Sequence, residues 1–327
     1  MRVGFVYNVR RLPPAEASVD DDEVEFDDPA AIAAIRDAIA AHGHDVVGFE
    51  ANETLPAALG AASVDVVFNI AEGRGLRSRE AQVPALLELL GIPYTGSDAV
   101  TLGVTLDKAL AKTLVRSGGV MAPDGVVLAV GDEALPATLG FPVVVKPAHE
   151  GSSKGISSDS VVHSEPELRE RVREVIARYR QPALCEEYVS GREVTVGLLG
   201  SPARVLPPLE IVILDGSPTP LYSFEVKRHW EQLVRYEVPA VLTVEEREAL
   251  ERASLRAFAA LGCRDVARID FRLDAAGVPQ FLECNPLPGL APGVTDLTLI
   301  AEAAGITYEG LIGEILECAI RRLPSRP

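Results

Sequence analysis

Val266–Leu273 (VARIDFRL), Asp274–Gly277 (DAAG) and Gln280–Asn285 (QFLECN) decide how this chain is read. Two short, largely apolar segments flank a turn sequence, which is the pattern of a β-hairpin. With Ala276 and Gly277 as the two loop residues, Asp270 falls opposite Glu283 and Arg268 opposite Asn285. The strand period of two then puts all four on one face. Two carboxylates and an amide oxygen are hard donors of the kind Mg²⁺ takes when it bridges nucleotide phosphates. Arg268 beside them can hold the charge of a transferring phosphoryl group. The same residues would also serve as an ordinary surface hairpin with a cross-strand salt bridge. The apolar flanks favour a covered face, where bare carboxylates are costly without a cation.

Upstream, Val143–Lys146 (VVVK) reads as a buried strand that delivers a lysine, and Pro147–Gly155 (PAHEGSSKG) as a small-residue loop whose N–H groups could cradle phosphate. It is not the phosphate loop G-x-x-x-x-G-K-[ST], which occurs nowhere in the chain. A strand-end lysine followed by a plain turn fits equally. Glu186–Glu193 (EEYVSGRE) reads as a strand that ends, turns at Gly191 and resumes with an acid. Such a hinge can edge an adenine while Glu193 accepts ribose hydroxyls; a β-turn with solvated acids is the blander alternative.

The first hundred residues alternate strand and helix: strands at Val3–Tyr7, Asp45–Phe49 and Val64–Asn69, helices from Pro29 to Ala41 and from Ser78 to Leu90. This alternation predicts a doubly wound parallel sheet with ligands at the strand C-termini. Asn8–Asp27 breaks the rhythm as a long polar connection, carrying Pro13-Pro14 and the acidic run Asp20–Glu23; a binding lid and a solvated loop both suit it. Further along, the expected elements are a helix at Thr105–Ser117, strands at Gly125–Ala129 and Ala183–Val189, and a helix at Glu165–Arg180. Antiparallel strands follow at Glu193–Leu199, Val205–Leu214 and Thr219–Phe224, then a helix at Thr243–Leu261, the hairpin, and two last helices. The expected units are 1–96, 97–184 and 185–327.

A length of 327 residues with 47% apolar content suits several packed units and excludes a disordered chain. A net charge of −17 argues against a nucleic-acid or anionic-membrane partner. Four separated cysteines without a C-x-x-C pair, no signal-peptide pattern and no apolar run of roughly 20 residues lead to the expectation of a cytoplasmic protein. The absence of G-x-G-x-x-G after the first strand excludes a Rossmann dehydrogenase.

Taken in order, these constellations resemble the ATP-grasp fold and, within it, the D-alanine–D-alanine ligase family. The resemblance is carried by Leu90–Asp98 (LGIPYTGSD), Leu106–Lys108 (LDK), Val145–Ser153 (VKPAHEGSS), Glu186–Val196 (EEYVSGREVTV), Phe224–Lys227 (FEVK), Ala267–Asp270 (ARID) and Leu282–Pro286 (LECNP). It implies three α/β domains and an ATP- and magnesium-dependent carboxylate–amine ligase working through an acyl phosphate. It further implies that Lys108, Lys146 and Ser153 meet the ATP phosphates, and that Glu186, Glu187, Val189 and Glu193 surround adenine and ribose. Asp270, Glu283 and Asn285 would hold two Mg²⁺, for which Mn²⁺ can substitute. Lys227, Arg268 and Ser152 would surround the acyl phosphate, with Gly289 in an oxyanion site. Partners would be small amino-acid, carboxylate and amine substrates; a homodimer is a candidate assembly.

The departures from the family pattern all fall on the amino-acid side. The stretch after the first strand is Tyr7–Pro14 (YNVRRLPP) and the acidic loop, in place of one bearing the glutamate that holds the first ammonium. The mobile-loop lysine–tyrosine pair reads Lys227-Arg228, the segment after the glycine leaves Thr295 as the nearest hydroxyl, and Asn69–Arg79 (NIAEGRGLRSR) replaces a histidine-glycine segment. Glu72, Arg79, Arg228 and Thr295 are therefore the candidate substrate residues, with Arg10, Arg11, Arg77 and Glu80 beside them. The expectation is a ligase with a substrate pair other than two D-alanines; a true D-alanine–D-alanine ligase and a non-catalytic nucleotide-binding module are the rivals.

Overall fold

A computed structural model describes residues 1–11, 23–75 and 77–323. Pro13-Pro14 and Asp20–Asp22 of the long connection lie outside the described residues. Strands β1 (Arg2–Tyr7), β2 (Asp45–Glu50) and β3 (Val66–Asn69) form a parallel sheet in the order β2-β1-β3. Helices α1 (Pro29–Ala41), α2 (Leu55–Ala61) and α3 (Gln82–Leu90) connect and follow them. Asp28 caps α1 by accepting from the Ala31 N–H at 2.8 Å, and Pro29 occupies the first turn, where its missing N–H costs nothing. The long connection returns to its start: Arg10 N–H donates to Asp27 O at 2.8 Å.

The expected helix at Thr105–Ser117 is two helices, α4 (Ala99–Leu106) and α5 (Lys108–Ser117). Asp107 leaves the helical region at ψ 94° and accepts from Leu110 N–H, so it ends one helix and caps the next. The four-stranded antiparallel sheet has the order β4 (Gly125–Leu128), β7 (Ala183–Glu187), β5 (Val143–Pro147), β6 (Val161–Val162), with α6 (Glu165–Tyr179) packed on it.

The six-stranded sheet contains β8 (Arg192–Leu199), β9 (Arg204–Val205), β10 (Leu209–Ile213), β11 (Val234–Glu237), β12 (Val266–Leu273) and β13 (Pro279–Asn285), ordered β11-β10-β8-β12-β13 with β9 paired to β8. Two expectations fail here. Val205–Leu214 is interrupted by Pro207-Pro208, which cannot donate to a ladder. Thr219–Phe224 forms no strand; the edge beside β10 is taken by β11, and two short helices, α7 (Phe224–Arg228) and α8 (Trp230–Leu233), fill the interval. Helices α9 (Val244–Ala260), α10 (Asp296–Ala303) and α11 (Tyr308–Arg321) complete the chain.

One hydrophobic core joins the two ends of the chain. Phe5 and Phe68 of the parallel sheet, Ile35 and Ile39 of α1, and Ile312 and Leu316 of α11 pack into the same cluster as Leu199 of β8 and Leu209 of β10. Buried Asp265 pins the joint by accepting from Gly96 N–H and Arg322 Nη2, both at 2.8 Å. A second core lies between α5, α9 and the six-stranded sheet, where Phe271 and Phe281 meet edge to face at 6.1 Å. Phe281→Ala removes a fully buried ring at the base of the hairpin. It is expected to cost about 3–5 kcal/mol, read as a lower denaturant midpoint with unchanged slope; a loss below 1 kcal/mol would contradict this packing.

Candidate active site

Arg268 pairs with Asn285 and Asp270 with Glu283, as the hairpin reading requires, but by a different route. Leu273 pairs with Pro279, so the loop is longer than two residues. A bulge between the Asp270–Glu283 and Phe271–Phe281 pairs restores the register with Leu282 as the extra residue. The bulge lets Phe281 enter the core while Glu283 faces the opposite side. Asp270 is held by Arg268 Nη2 at 2.9 Å, by the Thr195 hydroxyl and by Asn285 Nδ2 at 3.4 Å. Arg268 also reaches Asp296 at 3.1 Å. Burial alone would raise the Glu283 carboxyl, but Lys108, Lys146, Lys227 and Arg268 together hold it well below the usual range. Two carboxylates and an amide on one sheet face, among cations able to turn to phosphate, form an all-oxygen set that fits Mg²⁺.

The four-stranded sheet supplies the opposing wall. Lys146 on β5 lies 2.5 Å from Glu186 Oε1 on β7, and Lys112 on α5 lies 3.1 Å from Glu186 Oε2. Burial lowers the Lys112 ammonium to about 8, with Glu186 opposing the shift. Lys108, one helical turn earlier, sits 3.2 Å from Glu283. Lys112 was not found from the sequence, although its i,i+4 relation to Lys108 was a usable signal. In the loop after β5, Ser152 and Ser153 adopt φ of 48° and 59°, left-handed values that cost non-glycine residues about 1 kcal/mol or more each. Two such residues in sequence turn the loop back over the cavity, where Ser153 Oγ donates to Tyr222 O at 2.6 Å.

Between the sheets lies a cavity lined by Lys108, Lys146, Ser153, Glu186, Glu187, Val189, Glu193, Asp270 and Glu283 among others. Every residue expected around the nucleotide is there. Glu187 is partly engaged, accepting from Gly140 N–H at 2.8 Å. Arg272, absent from the sequence reading, organises the hinge: it donates to Val189 O at 2.9 Å, to Glu193 at 2.8 Å and to Pro220 O at 2.5 Å. Its place two residues after Asp270 on one strand was the available signal. Leu221 and Tyr222, from residues 217–223, also line the cavity.

A second cavity adjoins the first through Lys227, which borders both. Ser152, Arg268, Asn285 and Gly289 line it, together with Glu25, Asp27, Glu72 and Glu80. A Cβ at Gly289 would stand 2.9 Å from Thr295 Cγ2, so the turn passes too close for any side chain. Burial raises the Glu72 carboxyl, and its neighbours Glu80 and Glu25 add to the effect. Burial, with Asp28 adding to it, pushes Asp27 up to about 7. Burial takes Glu80 to about 7 as well, against Arg79 and with Glu25.

Several candidate substrate residues stand elsewhere. Buried Arg79 donates to Glu25 at 2.7 Å and to His149 O at 2.9 Å, which makes it a brace rather than a wall of the cavity. Arg10 pairs with Asp28, Arg11 with Glu23 and Glu50, and Arg77 with Asp107. Arg228 closes α7 and is exposed. The Thr295 hydroxyl turns to Ala291 O at 3.2 Å and lines neither of the two cavities. Arg10, Arg11, Arg77 and Arg79 each pair with a protein carboxylate, which sequence position alone does not reveal.

Residues 128–317, more than half of the chain, match the family model described as D-ala D-ala ligase C-terminus. The chain belongs to the D-alanine–D-alanine ligase family. A D-alanine–D-alanine ligase of Stutzerimonas stutzeri is 36% identical over 290 residues, covering 87% of each chain. A protein of Sinorhizobium fredii named y4sG is 41% identical over 258 residues, 79% of this chain and 75% of that one. The crystal structure of the Bacillus anthracis D-alanine–D-alanine ligase complexed with ATP superposes at a TM-score of 0.74 with 27% identity, covering 98% of both chains. As a member of the D-alanine–D-alanine ligase family, the chain has the ATP-grasp fold and is an ATP-dependent ligase that forms ADP and phosphate. Among the described residues no helix is long and apolar enough to cross a membrane.

The raised Glu80 carboxyl has a consequence for stability. Its folded value of about 7 exceeds the reference value of 4.5, so the folded state binds more protons between these limits and stability falls as pH rises through them. Glu80→Gln is therefore expected to melt higher than wild type at pH 8, by the equivalent of roughly 2 kcal/mol. Most of that advantage should be gone at pH 5; an equal difference at both pH values would show that Glu80 titrates normally.

Proposed function

We propose that this cytoplasmic enzyme joins an amino-acid carboxylate other than that of D-alanine, one with an additional polar or charged group, to an amine. The observation that carries the reading is the contrast between the two cavities. The first holds the lysines, acids and hinge that the resemblance assigns to ATP, and the second is walled by four carboxylates, Glu25, Asp27, Glu72 and Glu80. The donor carboxylate oxygen attacks the γ-phosphorus of ATP, the bond to the bridging oxygen breaks, and ADP leaves. The amine then attacks the acyl carbon, phosphate departs with the C–O electron pair, and the amine nitrogen loses a proton.

Charge on the transferring group builds between Lys146, Lys227 and Arg268, cations fixed before reaction. Lys227, bordering both cavities, can follow the phosphoryl group from ADP to the acyl oxygen. The Ser152-Ser153 turn and the Gly289 backbone bound the same space and exclude water from the acyl phosphate. Asp270, Glu283 and Asn285 would hold Mg²⁺, or Mn²⁺ in its place, and bound ions supply charge neutralisation of the phosphate oxygens. A true D-alanine–D-alanine ligase is the second reading, favoured by the names of its relatives.

ADP release across a panel of amino acids, singly and in pairs, tests the proposal. Synthesis of D-alanyl-D-alanine from D-alanine alone, at a rate no other pair exceeds, would establish the second reading instead. Glu283→Gln is expected to abolish ADP release in a variant that still folds; turnover by a folded variant at the wild-type rate would remove Glu283 from the metal site. Mg²⁺ with ATP at 100 times its Kd should stabilise the protein by about 2.7 kcal/mol, and an unshifted melting curve at millimolar ATP would argue against the nucleotide site.

A further inference from the structure

The second cavity is crowded with carboxylates that the described residues leave mostly unpaired. Of its four carboxylates only Glu25 is engaged, by Arg79 Nη2 at 2.7 Å and by Gly151 N–H at 2.8 Å. Asp27, Glu72 and Glu80 make no side-chain hydrogen bond or ion pair with any described residue. Glu80 is only 9% exposed, and the cavity is what it faces. The part of the long connection outside the described residues, 12–22, contains no lysine or arginine. Of the two cations on the cavity wall, Arg268 is already held by Asp270 and Asp296, which leaves Lys227.

Buried carboxylates of like charge repel and resist desolvation, and a cation brought among them relieves both penalties. A neutral amino acid carries one ammonium, which can bridge two neighbouring carboxylates and leaves the third without a cation. The carboxylates come from different parts of that wall. Glu80 follows Arg79, whose guanidinium reaches His149 O and Glu150 in the loop after β5, on the phosphate side. Asp27 ends the long connection, bridged to Val9 and next to the Asp28 cap of α1. A donor whose carboxylate meets Lys227 would set its α-ammonium near Glu80 and extend its side chain toward Asp27.

We propose that the acyl donor is a diamino acid, its α-ammonium received at Glu80 and Glu72 and its side-chain ammonium at Asp27. This rests on the reading of the chain as a carboxylate–amine ligase and names the class of substrate that reading leaves open. The acidic wall offers one cationic donor two separate anionic contacts, and it disfavours donors with a side-chain carboxylate.

The test compares ADP release with ornithine, lysine and 2,4-diaminobutyrate, in both enantiomers, against alanine, serine, glutamine and aspartate, each with a common set of amines. Diamino acids are expected to exceed the others at least tenfold in kcat/KM. Asp27→Asn should cut that preference tenfold or more while the melting temperature and its shift with Mg²⁺-ATP are retained. A neutral or acidic donor equal to or better than every diamino acid overturns the proposal, as does an Asp27→Asn enzyme with undiminished preference. If no donor is turned over, calorimetry with ornithine in the presence of Mg²⁺ and a non-hydrolysable ATP analogue decides. Binding of the analogue without binding of any diamino acid overturns the proposal, whereas failure of the analogue itself to bind overturns the ligase reading.

Discussion

Lys108 Nζ stands 3.2 Å from Glu283 on β13 and also donates to Glu150 O in the loop after β5, so one buried ammonium spans the two halves of the nucleotide cavity. Withdrawing an ammonium and a carboxylate from water costs several kcal/mol per ion, recovered only where partners are close and numerous. The cavity meets that condition by alternating signs: Lys112 and Lys146 flank Glu186, while Lys108, Lys146, Lys227 and Arg268 surround Glu283. The lattice does more than stabilise. Cations held here by carboxylates are already desolvated and oriented, so an entering phosphate exchanges one anionic partner for another instead of stripping water from a free lysine.

The same constraint explains what could be read from the sequence. Pattern periodicity gave the strands, and strand periodicity in turn placed Asp270 opposite Glu283 and Arg268 opposite Asn285. That pairing came out right although the assumed loop was too short, because the bulge at Leu282 cancels the one-residue register offset that the longer loop, 274–278, introduces. Local breaks were harder. Asp107 as a helix divider and Pro207-Pro208 as a strand divider are visible afterwards as capping and ladder chemistry, but each competes with a favourable longer pattern. Thr219–Phe224 has strand-like composition, and only the tertiary fact that β11 occupies the sheet edge decides against it.

Long-range charge pairing was illegible in a different way. Arg79 and Glu72 sit in the same short segment and were equally good candidates for a substrate. The fold turns Arg79 onto Glu25 and the His149 carbonyl, and leaves Glu72 on the cavity wall. Which of two neighbouring charges is satisfied internally depends on partners 54 and 70 positions away. The result is an inversion of the expected wall: arginines that were candidates to receive a carboxylate are consumed by the scaffold, and the acids are what remain.

Closure over the reaction has to be tight against water yet easily undone, and the contacts of residues 217–223 suit both demands. Three polar latches hold that segment: Ser153 Oγ to Tyr222 O at 2.6 Å, Tyr188 Oη to Pro220 O at 3.2 Å, and Arg272 Nη2 to Pro220 O at 2.5 Å. A hydrogen bond of this kind contributes about 1 kcal/mol net, because water replaces the partner on opening. An apolar seal of equal extent would carry no such replacement and would open at greater cost. Two of the latch partners, Ser153 and Arg272, belong to the loop and the hinge that border the nucleotide cavity. Whatever fills that cavity therefore meets the same residues that hold this segment in place.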